Sequence, residues 1–135
     1  MGRYRIHRAI ALLGAALGLV AATEAQEGWN RVEIRANEYL FAPKEVRAKA
    51  GRPLALVIIN EGHEPHQFRS DLFKDRMTEV EIAETVVRGR GIEVVDVAPG
   101  GRATIKVLSP PAGEFDYQCR IPSHHGMDGI LIIEK

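Results

Sequence analysis

Glu114-Phe-Asp-Tyr-Gln-Cys119-Arg-Ile-Pro-Ser-His124-His-Gly-Met127-Asp-Gly-Ile130-Leu-Ile-Ile133 is the stretch that decides the fold. Phe115, Tyr117 and Cys119 alternate with Glu114, Asp116 and Gln118, the period of a half-buried strand. Ile130 to Ile133 is an apolar run of strand length. Between them lies a short loop with Pro122 and Gly126 as breakers. That loop holds the chain's single cysteine at its mouth, then two histidines and a methionine.

The same grammar continues outward. Val32 and Ile34 alternate with Arg31, Glu33 and Arg35, and Pro43 ends the segment that follows. Leu54 to Ile59 is continuously apolar and bounded by Gly51, Pro53, Asn60 and Gly62, which fits a strand buried on both faces. Ala103, Ile105 and Val107 alternate with Thr104 and Lys106. Turns at Pro99-Gly100-Gly101 and Pro110-Pro111-Ala112-Gly113 separate these pieces. Short strands at such spacing predict an all-β sandwich or barrel. Thr78 to Arg88 reads differently. Thr78 and Glu81 form a capping-box pattern, Val80, Ala83 and Val87 recur at helical spacing, and Gly89 follows. A short helix inserted near 78–88 is predicted, packed as a solvated cover over one sheet edge.

The 135 residues suit one domain, and no repeat, low-complexity tract or linker argues for a second. With 18 basic and 18 acidic residues there is no electrostatic footprint for nucleic acid. Arg3, Arg5 and Arg8 precede a charge-free run from Ala9 to Ala22 that is short for a membrane span. A basic start, a short apolar middle and a small-residue end describe a secretory signal over 1–25, with cleavage after Ala22 or Ala25. Residues 26–135 then form the working domain, with 15 basic against 17 acidic residues. Export predicts a periplasmic protein without stable membrane association once the signal is removed. A lone thiol in that oxidising setting needs a reason to persist: burial, pairing between chains, or a metal.

Four histidines remain after the signal, His63, His66, His124 and His125, in the segments Gly62-His-Glu-Pro-His-Gln-Phe68 and Cys119 to Met127. Both segments sit at strand ends, where loops can meet around one site. A thiolate, two imidazoles and a thioether make a soft mixed donor set, the signature of a mononuclear blue-copper site. Zinc prefers four closed Cys/His ligands, and a thioether is a poor fourth.

On these residues the chain resembles the small bacterial cupredoxins of the plastocyanin/azurin group, through Asn60-Glu-Gly-His-Glu-Pro-His66-Gln-Phe68 and Tyr117-Gln-Cys119-Arg-Ile-Pro122-Ser-His124-His-Gly-Met127-Asp-Gly129. The resemblance implies a Greek-key β-sandwich. It implies one copper ion cycling between Cu(I) and Cu(II), with His66, Cys119 and His124 as equatorial ligands and Met127 as the axial one. Two residues separate His124 from Met127 where many relatives place four; Gln67 and Arg120 also depart from common choices. The short spacing resembles binuclear copper domains, but with one cysteine the site is mononuclear. The implied function is a monomeric one-electron carrier meeting redox proteins transiently through the exposed edge of His124, ringed by Pro65, Ile121 and Pro122. The alternative is a copper-binding protein for delivery, storage or tolerance, favoured by the extra His63 and His125. A copper enzyme would need a second centre, for which too few histidines remain. Glu64 and His63 read as solvated loop residues, and Met77 as filler.

Overall fold

Alternating and continuously apolar segments both become strands in the computed structural model, which describes residues 28–135. The expected 1–25 signal falls outside the described residues. The strands are β1 (Asn30–Asn37), β2 (Leu40–Ala42), β3 (Glu45–Lys49), β4 (Leu54–Asn60), β5 (His66–Ser70) and β6 (Thr78–Ile82). They continue with β7 (Thr85–Gly89), β8 (Val94–Val97), β9 (Arg102–Val107), β10 (Gly113–Gln118) and β11 (Asp128–Glu134). One sheet runs β2-β1-β4-β9-β6-β7 and the other β3-β11-β10-β5-β8. Pairing is antiparallel except between β1 and β4 and between β3 and β11. This is the β-sandwich that the resemblance implies; the strand pattern alone left a barrel open.

The apolar run of β4 takes a central place because both its faces are covered. Leu54, Leu56 and Ile58 enter the core between the sheets. Ala55 and Val57 point the other way and are still buried. Across from Val57 stand Glu33 on β1 and Thr104 on β9, and across from Ala55 stand Arg31 and Lys106. The aliphatic stems of such charged residues cover apolar surface while their heads stay wet.

The predicted helix near 78–88 is absent. Its residues form the β6–β7 hairpin, with β6 paired to β9 through Val80↔Ile105 and Thr78↔Val107. Thr78 and Val80 are buried on the core face, while Glu79 and Glu81 turn outward to Lys106. Thr78-Glu-Val-Glu-Ile82 satisfies period 2 as well as it satisfies a capping box. β-Branched residues dominate the segment, and they pack well on a pleated surface but crowd a helix. Pairing with β9 extends the sheet and settles the ambiguity. Ala83 turns the corner with a left-handed φ of 52°.

The second sheet positions the site. On β5 the buried residues are His66, Phe68 and Ser70, and at the end of β10 they are Tyr117 and Cys119. Strand alternation therefore puts His66 and Cys119 on the inner face, one step beyond Phe68 and Tyr117. The rings of Phe68 and Tyr117 stack at 5.2 Å, and Phe41 meets both edge-on at 5.7 and 5.4 Å. Such pairs each add about 0.5–1.5 kcal/mol beyond burial. They form a rigid floor beneath the two residues.

Candidate metal centre

β5 and β10 are antiparallel neighbours, so the start of one lies beside the end of the other. His66 opens β5 and Cys119 follows β10. His124 comes from the loop between β10 and β11. That loop is closed at its neck by the Cys119 N–H donating to the Met127 carbonyl at 2.9 Å, and turned inside by the His124 N–H donating to Ile121 at 2.9 Å. Two short bonds thus fold a loop of polar residues so that one of its two adjacent histidines faces inward. His124 is 3% exposed, while His125 is exposed. His63 also faces solvent.

The structure brings His66, Cys119 and His124 together, with their donor atoms within 4.8 Å of one another. His66 Nδ1 lies 3.2 Å from His124 Nδ1, and Cys119 Sγ lies 3.5 Å from His124 Nδ1. The Gln67 N–H donates to Cys119 Sγ at 3.4 Å. Met127 is 1% exposed and packs in the same core cluster as Cys119. Burial holds the His66 imidazole below the usual histidine range, and the neighbouring His124 pushes it the same way. Burial thus favours the neutral form of His66, the form with a lone pair to offer.

These residues fit a metal ion. Donors about 2.0–2.3 Å from one ion in a trigonal plane sit about 3.5–4.0 Å apart; here two separations are 3.2 and 3.5 Å and all three donor atoms lie within 4.8 Å of one another. Nε2 of His66 is buried without a partner. A cation shared by two imidazoles and a thiolate would resolve the meeting of the two Nδ1 atoms. Two nitrogens and one sulfur, with a thioether nearby in sequence, are a donor set suited to copper.

Three groups around the site were given no role in it from the sequence. Glu64, expected to be a solvated charge, places Oε2 at 2.9 Å from His124 Nε2. Tyr39 lays its ring 4.8 Å from the His124 ring, and its hydroxyl donates to Glu64 Oε1 at 3.4 Å. Together they cover the edge of His124 that was expected to be open. Nearby Glu64 also pushes the Tyr39 phenol above its ordinary range. Asn60, at the end of β4, organises the loop: its Nδ2 donates to Glu64 O at 2.8 Å and Val97 O at 2.9 Å, and its Oδ1 accepts from Gly62 N–H at 2.9 Å. Glu38 accepts from the backbone N–H groups of His63 and Glu64, the first of which holds its carboxyl below the usual range. A side chain at position 62 would press on that carboxylate, so Glu38 would have to shift to admit one. Asn60 at the end of a buried strand was the one available signal, since asparagine there commonly bonds a following loop.

The family model of the cupredoxin-like domain matches residues 9–133, and the chain belongs to that family. No curated protein matches it. Among solved structures it is similar to dithionite-reduced auracyanin from the photosynthetic bacterium Roseiflexus castenholzii, at 18% identity and a TM-score of 0.58, covering 78% of this chain and 98% of that one. Auracyanin B is similar at 17% identity and 0.55, covering 78% and 89%. The copper nitrite reductase of Nitrosomonas europaea matches at 12% and 0.61, with 78% of this chain aligned to 49% of that one. These likenesses establish the fold. The chain is thus a small cupredoxin, and its sandwich carries the His/Cys/His cluster.

Proposed function

We propose that this protein is an exported one-electron carrier with a single type 1 copper site, held by His66, Cys119 and His124 with Met127 as a weak axial ligand. The observation that carries this reading is the buried meeting of two Nδ1 atoms and one Sγ at 3.2 and 3.5 Å. Bound there, copper supplies a Cu(I)/Cu(II) couple, and a soft thiolate with imidazoles suits both states.

The chain's own part is to hold the donors still. Cys119 is fixed by its own N–H on Met127 and by the Gln67 N–H on its sulfur. His66 is locked into β5, and His124 is held through Ile121 and Glu64. Donors that need not move between redox states favour fast transfer. The fold likeness to auracyanins and the basic-then-apolar start of the sequence support a carrier outside the cytoplasmic membrane. Pro65 and Pro122 are exposed and Ile121 half-buried, a small apolar patch suited to brief redox encounters.

The test is the visible and paramagnetic spectrum of the protein with one equivalent of Cu(II). An intense thiolate-to-copper band is expected, and Cys119→Ser abolishes it. A colourless wild type sinks the proposal. Slow electron exchange with ready copper transfer would instead assign copper handling.

A further inference from the structure

Glu64 is the only carboxylate in hydrogen-bond contact with any member of the His66–Cys119–His124 cluster, among the described residues. Its Oε2 lies 2.9 Å from Nε2 of His124, the nitrogen that faces away from the other two donors. The sequence leaves this pairing to chance, yet the structure fixes both ends of it. The Glu64 backbone is tied by its carbonyl to Asn60 and by its N–H to Glu38. The carboxylate's other oxygen is bonded to the Tyr39 hydroxyl, and the Tyr39 ring packs on the His124 ring. A surface glutamate held by three residues on one imidazole edge is a built contact.

We infer that Glu64 is the positioning residue of the metal centre: it accepts a hydrogen bond from Nε2–H of His124, so keeping the proton on that nitrogen and turning the Nδ1 lone pair toward Cys119 and His66, and its negative charge favours the oxidised ion. This rests on the copper reading above. A carboxylate on the far nitrogen of a ligating histidine fixes the tautomer and raises ligand basicity. Negative charge close to the site stabilises Cu(II) over Cu(I), so Glu64 lowers the reduction potential. The Glu64 side chain is 48% exposed, so the effect is partly screened and shrinks with salt.

Two variants separate the charge from the hydrogen bond. Glu64→Gln keeps a carbonyl acceptor and removes the charge; Glu64→Ala removes both. With copper bound, Glu64→Gln should shift the preference about tenfold toward Cu(I), which is about 59 mV upward for a one-electron couple. Glu64→Ala should rise at least as far and lose about 10–100-fold in Cu(II) affinity. Nitrogen-15 NMR of the metal-free protein gives an independent reading. His124 should be the Nε2–H tautomer in the wild type and in Glu64→Gln, and mixed in Glu64→Ala. Unchanged potentials in both variants, or a His124 tautomer indifferent to Glu64→Ala, overturn the assignment. If the wild type takes up no copper, the function proposal fails by itself and the tautomer measurement alone decides the role of Glu64.

Discussion

Met127 and Asn60 show how differently single residues are tied to this site. Met127 is buried, and its carbonyl closes the ligand loop whatever its sulfur does. Replacement by leucine keeps volume and the backbone bond, so the fold should tolerate it within about 1.5 kcal/mol. If the thioether is an axial donor, its loss removes electron density that favours Cu(II). Voltammetry of Met127→Leu should then show a rise on the order of 60 mV, a tenfold change in preference; an unmoved potential and spectrum take Met127 out of the ligand set. Asn60 acts through the backbone. Its alanine variant loses three hydrogen bonds in a buried corner, each worth about 1 kcal/mol net, so urea unfolding of the metal-free protein should lose about 3 kcal/mol. The histidine and cysteine ligand candidates were legible because their chemistry is rare and their spacing is local to two loops. Glu64 and Tyr39 were not. Glutamates abound on loops, and Tyr39 reaches His124 only through the sheet order that brings the β1–β2 turn beside the β4–β5 loop.

Among the elements, β1, β4, β9 and β10 were legible because each carries an unambiguous period or an unbroken apolar run. The β6–β7 hairpin was misread because twelve residues can satisfy a helical spacing and an alternating one together. Only the free edge of β9 decides between them, and that edge exists only in the assembled sheet. Ala83 offers a test with opposite signs. In the hairpin it holds a left-handed φ of 52°, which costs a non-glycine residue about 1–2 kcal/mol. Ala83→Gly relieves this, less the extra entropy that glycine brings to the unfolded chain, for a net gain of about 0.5 kcal/mol. In a helix the same change would lose about 1 kcal/mol. Thermal or urea unfolding of the one variant therefore separates the two structures, and a clear loss would contradict the hairpin.

On the scale of the whole molecule, the sandwich is closed by contacts between what the sheets bury and the segments that cross between them. Tyr117 on β10 is the clearest. Its ring joins the aromatic floor under the site, and Gly129 across on β11 leaves room that a Cβ would fill. Its hydroxyl donates to Pro43 O at 2.7 Å, in the segment where the chain passes from β2 in one sheet to β3 in the other. Burial, reinforced by nearby Asp128, pushes the phenol up to about 12. The unfolded chain releases this proton near pH 10, and the native state holds it to about 12. The native state thus binds more protons in that window. The contribution is complete below about pH 10 and falls as pH rises toward 12, at about 1.4 kcal/mol per unit and so about 3 kcal/mol in all. Other groups also titrate there, so the comparison is with Tyr117→Phe, which keeps the ring and lacks the ionisation. The variant should be less stable at neutral pH by the lost bond to Pro43, about 1 kcal/mol. Its deficit should vanish and then reverse between about pH 10 and 12 in urea titrations of the metal-free protein. Parallel curves across that range would mean that the hydroxyl meets solvent and that the β2–β3 crossing is held by something other than Tyr117.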